Sequence, residues 1–445
     1  MSRSAGRRIA TVRVDAVRGV ARPSRELAIA LAAVLLTVGF LAWAGAAGDN
    51  EGAAGPAAPR QAVGDRVFSC ADELPRAHVL SGSLDGGLQQ RPLERLVRVH
   101  VPQEQARGAF AARVATPAPS YAFGSCPEPA NEWWFVGAGG SVGHSTTLVV
   151  DNPRPGSAVV DIEVLGPRGE VEAPGLRGIT LPGNSSRTFD LTKVAPSTGE
   201  LAAHVTTSQG LVSVTAVDSF TRNRIGGVTR EWLPDQGSAE RRLRLVGLAG
   251  SPASATLLVA NPGTVEAVVE LELVSGKGPF TPKGLESVTV APGAVASLDL
   301  TRGLDGEPVA LALKGSGPVV ASVRTIAGKD ETYAAAAAPL DGSSVFAVPA
   351  ADTAHLVVTA LEHDARLTVV PHAADGRKLQ PSRVTVEART TRQVALPRAA
   401  RYVELVTSGG HAVAGLLVTR GAATGSIAVP PAVQALTLPS VRRGW

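Results

Sequence analysis

Charge is in short supply in this chain of 445 residues: only 18% of side chains are charged, against 44% hydrophobic. That balance excludes a disordered polypeptide. Aromatic residues make up 4%, and the apolar share comes mainly from Ala, Val and Leu. Lys supplies 6 of the 43 basic residues, a bias that points to a GC-rich genome. A basic field is also missing, despite a pI of 9.3. Residues 1–48 hold seven arginines against Asp15 and Glu26, and the remainder holds 36 basic and 37 acidic side chains. A phosphate backbone finds no complementary surface there, so nucleic acid is excluded as a partner. No HExxH, P-loop or dinucleotide-binding glycine pattern occurs, and no cofactor is expected.

What is present begins with an uncharged run, Leu27 to Gly48. At 1.5 Å per residue it reaches about 33 Å, enough to cross a hydrocarbon core of ~30 Å. The sequence predicts a basic cytoplasmic arm over 1–25, a transmembrane signal anchor over 26–48 and an exported remainder, because arginine-rich flanks stay inside. A cleaved signal peptide is the alternative, with Ala44-Gly45-Ala46 as the small-residue site. Residues 49–62 read as a linker, small and polar with Pro and Gly. Residues 63–132 form a less regular region that holds both cysteines. In an oxidising compartment Cys70 and Cys126 are expected to pair, which contributes about 2–4 kcal/mol.

An internal repeat organises the rest. Thr147-Leu148-Val149-Val150-Asp151-Asn152-Pro153 returns as Thr256-Leu257-Leu258-Val259-Ala260-Asn261-Pro262. Alternating runs follow each, Ala158–Val164 and Ala267–Leu273; then come Pro182-Gly183 and Pro292-Gly293, and Asp190-Leu191-Thr192 and Asp299-Leu300-Thr301. A weaker third copy starts at His355-Leu356-Val357-Val358, with Ala360-Leu361 in place of Asn-Pro. Each copy closes on a hairpin, expected around Gln209-Gly210, Ser316-Gly317 and Gly409-Gly410. Short strands with period-two alternation and frequent turns predict an all-β fold of three tandem immunoglobulin-like β-sandwich modules, 133–229, 242–331 and 343–445, the last carrying the tail. A β-propeller is the less favoured arrangement, since its blades need only ~40–50 residues.

Three features compete for chemistry. Gly139-Gly140-Ser141-Val142-Gly143, with His144 next, fits a nucleophile elbow, but that motif needs a helix after the serine and another strand is expected there. Glu362-His363-Asp364 with His372 is the densest polar group, and solvated turn side chains account for it. Trp133-Trp134 stands out in an aromatic-poor chain: exposed rings would stack on sugars, buried rings would fill a core. No catalytic residue and no metal ligand is expected.

Cys126-Pro127, Glu132-Trp133-Trp134-Phe135-Val136-Gly137, Leu148–Pro153 and Leu181-Pro182-Gly183 together resemble a family of actinobacterial proteins with one N-terminal membrane segment and an envelope-facing domain of unknown function. The resemblance spans roughly 63–440 and implies topology and fold. It implies no reaction. The expectation is a membrane-anchored, non-enzymatic extracytoplasmic scaffold; the alternatives are a glycan-binding accessory of envelope polysaccharide enzymes, through Trp133 and Trp134, and a hydrolase using Ser141. Envelope glycans or envelope proteins are the expected partners.

Overall fold

In the computed structural model the described residues run from 60 to 437, apart from 63, 72–73, 118, 197–198, 222–226, 249, 305, 307–308 and 433–434. The predicted arm 1–25, the anchor 26–48 and nearly all of the linker 49–62 lie outside them. Among the described residues no helix is long and apolar enough to cross a membrane. The chain divides into two units, Met1–Gln61 with Thr437–Trp445, and Ala62–Leu436. Only the second is described below.

This unit is nearly all β, built from antiparallel sheets. Alternation sets each strand's faces. In Ala158–Gly166 the side chains of Ala158, Val160, Ile162 and Val164 turn inward and are buried, while Val159, Asp161 and Glu163 are partly wet. Ala267–Ser275 repeats the pattern with Ala267, Val269, Leu271 and Leu273.

Strand order is the same in all three repeated stretches. In the first, one sheet runs Glu132–Ser141, Glu200–Gln209, Ala158–Gly166, Ile179–Leu181; its partner runs Ser185–Asp190, His144–Asn152, Ser213–Thr221, Val228–Leu233. The third gives Ser343–Ala347, Tyr402–Gly409, Ala365–His372, Ser382–Val386 and Thr391–Ala395, Thr353–Ala360, Ala412–Arg420, Ala423–Ala428. In the second a single strand, Ala310–Ala327, serves both sheets: its first half pairs with Ala267–Ser275 and its second half with Ser254–Ala260 and Asp330–Ala335. The hairpin expected at Ser316-Gly317 is therefore a continuous strand passing between sheets. Gln209-Gly210 and Gly409-Gly410 make the same passage as turns, with Gly210 and Gly410 at positive φ. Each stretch has its own apolar core, around Phe135, Leu148 and Ile162, around Leu257, Leu271 and Leu313, and around Leu356, Leu367 and Leu405.

The region 63–132 is more regular than its sequence suggested. It carries a fourth sheet of the second type, Gly87–Pro92, His78–Ser83, Phe110–Ala115, Ala122–Ser125, faced by only two strands, Arg66–Ala71 and Leu96–Val101. Cys70 and Cys126 are joined, with Cα atoms 4.9 Å apart, inside the core of this region. The last strand of each of the four sheets touches the next: Ala122–Ser125 against Val228–Leu233, then Asp330–Ala335, then Ala423–Ala428, which returns to Ala122–Ser125. Four sheet pairs thus close around one axis.

Candidate functional site

The recurring polar residues serve turns. Asn152 donates from Nδ2 to the carbonyls of Gly156, Leu181 and Pro182, and its Oδ1 accepts from the Arg154 N–H. Asn261 repeats this with Val265, Val290, Ala291 and Gly263. Asp190 and Asp299 each accept from the N–H and hydroxyl of the threonine two residues on. The repeat is legible because these side chains replace backbone partners at strand ends.

Both tryptophans are covered. Trp133 is 6% exposed, fills the first core and donates its indole N–H to the Val212 carbonyl. Trp134 is 2% exposed, stacks on His204 at 3.8 Å and packs with Leu258, Val295 and Val320 of the following stretch. Neither offers a sugar-stacking face, because both strand faces at this position are buried. After Ser141 comes the strand His144–Asn152 rather than a helix. The Ser141 hydroxyl lies 3.5 Å from the main-chain oxygen of His144, while the imidazole faces Asp218 at 3.1 Å and Glu200 at 3.6 Å. Burial lowers the affinity of His144 for a proton, and the Asp218 and Glu200 carboxylates more than reverse that, leaving its pKa raised. His372 is buried, donates its Nδ1–H to the Gly376 carbonyl and stacks on Tyr402, whereas Glu362, His363 and Asp364 are exposed. Among the described residues no cluster of His, Cys, Asp and Glu is arranged to hold a metal.

The inner strands hold the features that sequence reading missed. Charged residues at their junctions are buried and reach across. Asp330 accepts from the N–H groups of Tyr121 and Thr424, tying the second stretch to both the first region and the third. Glu231 accepts from the Phe123 N–H and its neighbour Trp232, and Glu331 accepts from the hydroxyls of Thr229 and Tyr333. Tyr333 also lies 3.0 Å from Asp218, and Arg324 makes a two-pronged pair with Glu200. Burial, then the nearby Asp330, pushes the Glu231 carboxyl well above the usual range. Burial, then Asp218, pushes Glu331 up to about 7. The second oxygens of Glu231 and Asp330 have no hydrogen-bond partner among the described residues.

At one end the axis opens into a cavity of about 630 Å³. All four inner strands or their exits line it, through Gly124, Trp232, Ala337 and Ile427 among others. Its buried polar groups include Arg113, which is 4% exposed and donates to the Thr215 hydroxyl at 2.6 Å, and Trp232, over whose ring the guanidinium sits at 4.9 Å. Burial lowers the Arg113 pKa to about 10 against the pull of Asp235 and Glu231. No sequence signal marked Arg113, because its partners come from other repeats.

The model of a family of unknown function (DUF5719) matches residues 99–397. The chain belongs to that family. The matched span takes in three of the four inner strands and the cavity residues Arg113, Gly124 and Trp232. No curated protein matches the chain. Among solved structures it is similar to a Streptomyces avermitilis alpha-L-rhamnosidase complexed with L-rhamnose, at 12% identity and a TM-score of 0.14, over 79% of this chain and 54% of that one. The chain spans about half the length of that structure, and a likeness of this degree carries no argument.

Proposed function

We propose that this member of the family is a membrane-anchored, extracytoplasmic scaffold of the cell envelope, non-enzymatic, tethered through residues 26–48 and presenting tandem immunoglobulin-like sandwiches to envelope partners. The observation that carries the reading is the closed ring of sheet pairs locked by buried polar contacts. Such a ring holds its loops and outer edges at fixed separations, which suits a platform for partners. The uncharged run after an arginine-rich arm supports the tether, and a buried disulfide supports an oxidising compartment. The glycan alternative drew on Trp133 and Trp134, whose rings are buried, and is not carried forward through them.

Cell fractionation with protease added outside tests the reading. The full chain should sediment with membranes, resist carbonate extraction and lose everything after residue 49 to external protease. Recovery in the cytosol, or full protection from protease, would sink it. A hydrolytic activity abolished by Ser141→Ala would remove the non-enzymatic part.

A further inference from the structure

The axial cavity is lined by a cation that no carboxylate of the described residues contacts directly, although Asp235 and Glu231 act on it from farther off. Arg113 Nη1 is used by Thr215, while Nε is buried and meets no acceptor among the described residues. No ion pair to Arg113 forms among the described residues, and a buried charge without a direct partner is unfavourable. Trp232, 3% exposed, also lacks an acceptor for its indole N–H. Both orphan donors line the same cavity.

Gly124 puts no side chain beside the guanidinium edge. It sits in the strand Ala122–Ser125 without a positive φ, so backbone conformation does not require glycine. A Cβ there would lie 3.4 Å from Nε and 3.8 Å from Nη2 of Arg113. The space beside the Nε/Nη2 edge is therefore the space a side chain would fill. That edge matches the two oxygens of a carboxylate. Ala337, Pro339, Leu361, Val413 and Pro430 supply an apolar wall. Towards the mouth Arg242 and Arg244 are offset by Glu240 and Glu362, with Asp235 nearer Arg113. Balanced charge disfavours a polyanion, and a single carboxylate would be held by directed hydrogen bonds rather than by net charge.

We propose that the axial cavity binds a small carboxylic acid, its carboxylate held by the Nε/Nη2 edge of Arg113 and the indole N–H of Trp232, its body against the apolar wall. The inference goes beyond the scaffold reading and is independent of where the chain resides. The full chain, purified in detergent, is titrated calorimetrically with propionate, N-acetylalanine and a hexuronic acid, each beside its neutral amide, and with inorganic phosphate. At least one acid should saturate the site and bind about tenfold or more tighter than its amide. Selection of N-acetylalanine assigns a peptide carboxylate, and selection of the uronic acid assigns an acidic sugar. Gly124→Ala places its methyl at ordinary contact distance, so it should keep the melting temperature while weakening the acid about tenfold or more. Arg113→Met should abolish binding. Failure of every acid at about 20 mM, equal binding of acid and amide, preference for phosphate, or unchanged binding by a folded Gly124→Ala would each overturn the assignment.

Discussion

Single residues carry more of this fold's stability than their exposure in the sequence suggests. Asn261 satisfies four backbone groups at one turn, three of them carbonyls. Asn261→Ala leaves those groups short of partners in a buried turn and should cost about 2 kcal/mol, read as a shift in the urea midpoint with unchanged slope. Glu331 makes a contrasting case. Its folded pKa of about 7 lies above the roughly 4.5 of the unfolded chain. Between those values the folded protein holds a proton that the unfolded chain has released, so stability falls as pH rises from about 5 to about 7 and levels above that. His144, whose pKa is also raised, adds in the same direction, since its stabilising charge is lost as pH climbs through its folded pKa. Melting temperatures from pH 5 to 8 should decline, and Glu331→Gln should flatten the curve. A rise with pH, or a mutant curve that still falls equally, would contradict the assignment.

At the scale of elements, the turn at Gly410 that passes between sheets is closely packed. A Cβ on Gly410 would stand 2.1 Å from the Asp364 carbonyl oxygen, and its φ is +69°. Gly421 has φ +61° and nothing within 4 Å. Gly421→Ala should cost only the left-handed penalty of about 1–2 kcal/mol. Gly410→Ala adds a backbone clash and should cost clearly more, both read from chemical denaturation. These elements were largely legible in the sequence. Asn-Pro, Pro-Gly and alternating runs marked strand ends and faces correctly, because those signals are local. The hairpins expected at Gln209-Gly210, Ser316-Gly317 and Gly409-Gly410 are instead passages between sheets, since a chain crossing into a second sheet has the same local composition as one that turns back. Residues 63–132 differ from expectation for a related reason: the sheet there is faced by two strands rather than four, so the repeat spacing disappears. The candidate site was not legible. Arg113 and Gly124 are register partners in adjacent strands, Trp232 reaches them only through the contact between inner strands, and Trp133 and Trp134 draw attention by scarcity although their rings fill cores.

For the molecule as a whole, ring closure joins stretches far apart in the chain through buried groups such as Asp330, which bonds to Tyr121 and Thr424. Unfolding of Ala62–Leu436 should therefore be one calorimetric transition, with separate transitions contradicting a locked ring. Asp330→Ala strips an acceptor from two buried N–H groups and should split or broaden that transition. Compartment is the central claim, because scaffold, tether and disulfide all depend on export. The most direct measurement is the redox state of Cys70 and Cys126 in living cells, trapped by acid quenching and read by a thiol-reactive mass tag. The account expects no tag unless the sample is first reduced, as for a disulfide formed outside the cytoplasm. Two tags on the freshly quenched chain would place it in a reducing compartment and contradict the account.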